Sequence, residues 1–89
     1  VSKAVWKFEF AVQDEIAIDM PAGAIALTVA LQFGSPCLWA LVDPAAPLVR
    51  RRFRLAGTGH PPGPEVGNYV GSFQLSGGHL VFHLFEREE

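Results

Sequence analysis

The sequence predicts an all-β protein: a small antiparallel sandwich or partly open barrel of about six strands built on hairpins, with no helix assigned. Three observations carry that prediction. Apolar and polar residues alternate with a period of two over Val5–Val12 and Ala24–Phe33, the period of a strand with one buried face. Glycine-containing two-residue breaks, Gly34-Ser35 and Gly77-Gly78, separate alternating runs and have the form of hairpin turns. Gly/Pro clusters recur about every ten residues, too often for helices.

In the first run, Trp6, Phe8, Phe10 and Val12 share a face opposite Lys7 and Glu9, and Glu15 to Asp19 repeats the pattern with Ile16 and Ile18. Met20-Pro21-Ala22-Gly23 is expected to turn, because Pro21 lacks a ladder donor and Gly23 tolerates positive φ. The run Ala24 to Phe33 places Ile25, Leu27, Val29, Leu31 and Phe33 on one face. A turn at Gly34-Ser35 would set Leu31 opposite Leu38, Val29 opposite Ala40, Leu27 opposite Val42 and Trp39 opposite Ala30. Asp43 to Pro47 is a loop, since two prolines this close do not fit a paired strand.

Leu48 to Leu55 reads as a strand with Val49, Arg51, Phe53 and Leu55 on one side and Arg50, Arg52 and Arg54 on the other. Gly57 to Pro64 is the longest breaker-rich loop. Around Gly77-Gly78, the turn pairs Leu75 with Leu80, Phe73 with Phe82 and Gly71 with Leu84 on an apolar face. The polar face pairs Ser76 with His79, Gln74 with Val81 and Ser72 with His83.

Length and composition bound the rest. With 89 residues the chain is one domain, residues 1–89. Its stability margin is thin at this size, and self-association is a common remedy, so a homo-oligomer is expected. An apolar content of 49% excludes disorder. A net charge of −2 gives no overall field for nucleic acid or membrane surfaces. Lys3, Lys7 and Glu9 interrupt any signal-peptide core, and Pro21, Gly23, Gln32 and Gly34-Ser35-Pro36 break the uncharged span Met20 to Val42, so no membrane span is assigned. The single cysteine, Cys37, fits a reducing compartment and reads as a packed thiol.

No complete catalytic or metal-binding motif is present, and no cofactor is assigned. Four of the seven Lys and Arg residues lie between Arg50 and Arg54. Arg50, Arg52 and Arg54 would project about 6.5–7 Å apart along one strand face, a spacing at which guanidinium forks bracket a phosphate or carboxylate. A charged row also guards a sheet edge against aggregation, and both readings stand. The Gly57-Thr58-Gly59-His60 segment offers backbone N–H groups for an anion, without the lysine or spacing of a P-loop, or reads simply as a mobile loop. Trp39 reads first as a core residue and otherwise as an indole that stacks on a flat ligand or lies in a subunit interface; Tyr69 is a second candidate for stacking on a base. His79 and His83, with Val81 between them on one face, lack the third ligand of a zinc site.

The blocks CLWALVDP, RRFRLAGTGHP and YVGSFQLSGGHLVFHLFE resemble a group of short uncharacterised proteins encoded by bacteriophages, prophages and bacteria. The resemblance spans nearly the whole chain from VWKFEF onward and brings no catalytic residue with it. It implies a small β protein in a bacterial cytoplasm, at work during infection. By analogy with phage proteins of this size, it implies one that blocks a host protein or sequesters a nucleotide signal of host defence.

Two functions are therefore carried forward. The first is a non-enzymatic binding protein for an anionic, nucleotide-like ligand. Its site is formed by Arg50, Arg52, Arg54, His60 and the Gly57–Gly59 backbone, with Trp39 or Tyr69 stacking on a base. The alternative is a protein–protein interaction module that blocks a host factor or serves as a phage structural accessory. A cyclic-nucleotide hydrolase using His60 ranks below both, because no nucleophile or partner base is legible beside it.

Overall fold

The computed structural model describes residues 2–88. Seven strands form two antiparallel sheets packed face to face: β1 (Ala4–Glu9), β2 (Glu15–Pro21), β3 (Ile25–Gln32), β4 (Ser35–Val42), β5 (Leu48–Gly57), β6 (Val66–Leu75) and β7 (Leu80–Arg87). The three-stranded sheet has the order β1-β4-β3 and the four-stranded sheet β2-β5-β7-β6. The architecture is a sandwich, one strand richer than expected, and not a closed barrel. A single 3₁₀ turn, Ser76–Gly78, joins β6 to β7.

The core lies between the sheets. From the smaller sheet come Leu38, Ala40 and Val42 of β4, all at 0% exposure, with Val29; from the larger come Ile16, Met20, Phe53, Phe73 and Leu84. Each large apolar side chain so buried contributes about 1.5–3 kcal/mol relative to exposure. Strands β3 and β6 stack closely because β6 has no side chain at Gly71, where an added Cβ would stand 3.1 Å from Val29 Cγ1.

One charged pair sits at the inner edge of this core. Arg51, on the inward side of β5 as its alternation predicts, donates from Nε to Glu86 Oε2 at 2.6 Å and from Nη1 to the Ala24 carbonyl at 2.9 Å. The bond pattern ties β5, β7 and the β2–β3 turn together.

Five of the pairings expected across β6 and β7 are observed: Leu75–Leu80, Gln74–Val81, Phe73–Phe82, Ser72–His83 and Gly71–Leu84. The sixth pair closes the turn, with the His79 N–H donating to the Ser76 carbonyl at 3.2 Å. The β3–β4 hairpin differs from expectation. Its turn is Phe33-Gly34, not Gly34-Ser35, and the register moves by two: Leu31 pairs with Pro36, Val29 with Leu38 and Ala30 with Cys37. Both turn residues have positive φ, 51° at Phe33 and 79° at Gly34, as a type I′ turn requires.

A β-bulge at Leu27 then changes the facing of β3, because Thr28 pairs with Trp39 while Ala26 pairs with Ala40. Past the bulge Ala26 and Ala24 point inward, and Ile25 and Leu27 are about half exposed. The single apolar face expected for Ile25 to Phe33 is thus divided. Pro21 also belongs to a strand, as the last residue of β2, where an edge position tolerates its missing donor. The turn itself follows, with Gly23 at φ 81° and Ala24 N–H bonded to the Pro21 carbonyl at 3.1 Å.

Candidate functional site

The arginine row occupies the outer face of the larger sheet, where β2 sets Asp19 opposite Arg50, Ala17 opposite Arg52 and Glu15 opposite Arg54. The three guanidiniums have different surroundings. Arg50 donates from Nε to Asp19 Oδ1 at 3.0 Å; that hydrogen bond, and then its charge, hold the Asp19 carboxyl below the usual carboxylate range. Arg52 faces Ala17, is exposed, and forms no ion pair among the described residues. Arg54 is half buried and also forms no ion pair among them.

Arg54 has lost the partner its register supplies. Glu15 is held by Arg87 at 2.8 Å, and Arg87 also binds Glu65. The Arg54 Nε is buried without a hydrogen-bond partner. Gly63, at φ 90°, runs across the guanidinium so closely that a Cβ there would stand 2.9 Å from Nη2. The loop after β5 therefore folds over a cation that forms no ion pair with an acidic side chain among the described residues.

Arg54 lines a groove of about 790 Å³ at the end of the larger sheet. Residues 12–14 of the β1–β2 connection form one part, the end of β5 with Thr58, His60 and Pro61 a second, and His79 to Phe82 a third. Cationic, hydroxyl and imidazole groups thus share the site with the apolar Leu55, Leu80, Val81 and Phe82, and Asp14 adds one acid. The groove unites Arg54, Gly57, Thr58 and His60 of the residues expected from sequence. Arg50 and Arg52 are on the same sheet face but outside it.

The Gly57-Thr58-Gly59-His60 segment is a closed turn more than an open cradle. The Thr58 N–H donates to the Val81 carbonyl at 3.1 Å and the His60 N–H to the Gly57 carbonyl at 3.0 Å. The Thr58 N–H, one of the backbone donors expected to face an anion, is therefore engaged internally. The Thr58 hydroxyl and the exposed His60 imidazole are the polar groups this segment presents.

Behind Thr58 lies an arrangement that the residue pattern did not reveal. His83 hydrogen-bonds the Thr58 hydroxyl through Nε2 at 2.6 Å and the Tyr69 hydroxyl through Nδ1 at 2.9 Å. Which ring nitrogen donates and which accepts in these two bonds depends on the imidazole tautomer. The Tyr69 ring packs edge-on to Phe85 at 5.1 Å between centroids. Tyr69 therefore touches the groove only indirectly, through His83 and Thr58. An unbroken β6–β7 register would set Tyr69 opposite Glu86 on the other face; the irregularity between Tyr69 and Gly71 pairs it with Phe85 instead and brings it to the His83 side, while Thr58 arrives through the β5–β7 pairing, which joins strands distant in sequence.

Trp39 stands elsewhere. It is on the outer face of the smaller sheet, between Lys7 of β1 and Thr28 of β3, and shares no wall with the arginines. Cys37, on that same face, is a buried free thiol. Among the described residues no helix is long and apolar enough to cross a membrane.

Fold and groove together define a small antiparallel β-sandwich with a cation-lined cleft at one end. The family model described as "Domain of unknown function (DUF7352)" matches residues 1–89, and the chain belongs to that family. No curated protein and no solved structure matches it.

Proposed function

We propose that the protein binds a small anionic ligand of nucleotide type in the groove beside Arg54 and releases it unchanged. The observation that carries this reading is the Arg54 guanidinium, half buried, enclosed by the Gly63 backbone and without an acidic partner among the described residues. A charge so placed costs free energy until an anion compensates it. A phosphate against Arg54 gains charge-assisted hydrogen bonds. Thr58 and His60 add donors, and Leu80, Val81 and Phe82 provide an apolar wall for the base. The resemblance to phage- and prophage-encoded proteins supports a bacterial cytoplasmic setting, in which such a protein lowers the free concentration of a host defence signal.

Thermal denaturation of the purified chain with mono-, di- and cyclic nucleotides, and with inorganic phosphate, tests the reading. A ligand at a hundred times its Kd stabilises by about 2.7 kcal/mol, which in a domain of this size raises Tm by roughly 10 °C or more. Arg54→Glu should abolish the shift while the variant stays folded, and denaturation should return the ligand intact. No shift with any member of the panel overturns the proposal. A ligand returned chemically altered replaces it with a hydrolase in which Thr58 and His83 are the groups to examine.

A further inference from the structure

We propose that the outer face of the smaller sheet is covered by a second copy of this chain. In a sandwich the outward positions of each strand are ordinarily polar. Here the register aligns Val5, Leu41 and Ile25 in one row across β1, β4 and β3, and Lys7, Trp39 and Thr28 in the next. Val5 is 56% exposed, Ile25 51% and the bulged Leu27 48%. These side chains form one apolar patch with Trp39 and Leu41 at its centre, the kind of surface that marks an interaction site.

The distribution of charge selects the occupant. Neither β3 nor β4 carries a charged residue, and the charges that the three strands place on this face, Lys7 and Glu9, are of opposite sign on the edge strand β1. A copy turned about an axis along β4 sets Trp39 and Leu41 against their own counterparts and Val5 against Ile25. Lys7 then meets the uncharged Thr28, and no like charges are buried together. A foreign partner would be chosen by complementary charge, which the centre of this face does not offer.

Three strands about 4.8 Å apart, β3 and β4 about 26 Å long and the six-residue β1 about 20 Å, give a footprint of roughly 14 by 20–26 Å. That is below the ~800 Å² per partner of a standard interface, so the dimer is a weak, reversible one. Aligned sheet packing about 10 Å apart accommodates it.

Sedimentation equilibrium of the full chain, from about 1 to about 500 µM, tests this. The expected result is a concentration-dependent monomer–dimer equilibrium. Ile25→Lys, and independently Val5→Lys, should raise the dissociation constant by roughly 100-fold or more. Both residues are about half exposed, so the monomer should keep its β-sheet circular dichroism and its Tm at the lowest concentration. A wild-type chain that stays monomeric throughout overturns the proposal. A dimer that survives both lysines overturns the choice of face, and an interface to a different protein then becomes the reading.

Discussion

The two outer faces of this sandwich come from strands of similar length but carry opposite chemistry. On the larger sheet, outward positions hold Asp19, Arg50, Glu15, Arg87 and the Tyr69–His83–Thr58 chain, nearly all tied to one another. On the smaller sheet they hold Val5, Ile25, Trp39 and Leu41, with a single Lys7–Gln32 hydrogen bond of 2.7 Å reaching across β4. Most charged groups on the first face satisfy each other within the chain; among the described residues Arg52, exposed, and Arg54, half buried, do not, and Arg54 marks the groove. Apolar groups on the second have no intramolecular partner. A small fold can thus separate two modes of recognition by assigning one to each sheet, since their only common element is the core.

That common element gives the largest expected effect. Leu38 of β4 is fully buried between the two sheets, so Leu38→Ala should destabilise the domain by about 3 kcal/mol in urea unfolding and impair both faces together. The next test separates them. Arg54→Glu should cost ligand binding roughly 100-fold and leave sedimentation unchanged, whereas Ile25→Lys should abolish dimerisation and leave the nucleotide thermal shift unchanged. If either variant damaged both properties equally, the faces would not be independent.

A smaller effect is expected within the charged face. Tyr69→Phe removes one of the two hydroxyls bonded to His83 and should cost about 0.5–1.5 kcal/mol in denaturant unfolding, with association untouched. Smallest is the pH response of the Arg50–Asp19 pair. The Asp19 pKa is lowered in the folded state, so its contribution is complete above the unfolded carboxylate value and is lost as pH falls through the folded one. Asp19→Asn should remove that acid-side decline from a series of melts between neutral pH and pH ~2. Both groups are exposed and screened, so the difference should be small, and an unchanged slope would show that the pair adds nothing to the face.

The β6–β7 hairpin was legible residue by residue because Gly77-Gly78 leaves one position for the turn and the flanking strands alternate without interruption up to Gly71. The β3–β4 hairpin was not. A glycine-first rule selects Gly34-Ser35, but the chain turns one residue earlier by placing Phe33, 99% exposed, in the left-handed region. That is an unusual conformation for an aromatic residue. Leu27 adds a second departure, invisible to any pattern of period two.

For the site, the outward direction of Arg50, Arg52 and Arg54 followed from alternation alone. Their different surroundings did not, because Asp19, Glu15 and Arg87 reach the row through β2–β5 pairing and cross-strand ion pairs between residues far apart in sequence. Trp39 was grouped with the arginines by nearness in the chain, yet β4 and β5 belong to different sheets. Four residues, Arg54, Gly57, Thr58 and His60, were close enough on one strand and its following turn to be found together.

The bulge at Leu27 has a consequence for how this sequence can vary. With the extra residue smoothed into the ladder, Leu27 would fall opposite Ala40 and Ile25 opposite Val42, and both would point inward. Ala26 and Ala24 would then be the residues left outside. The same letters thus encode two ways of hiding apolar surface, one inside the molecule and one between molecules. Deleting Leu27 keeps Ile25 outward on a regular strand, so a family member one residue shorter here can retain the outward pattern with no irregularity to reveal its origin.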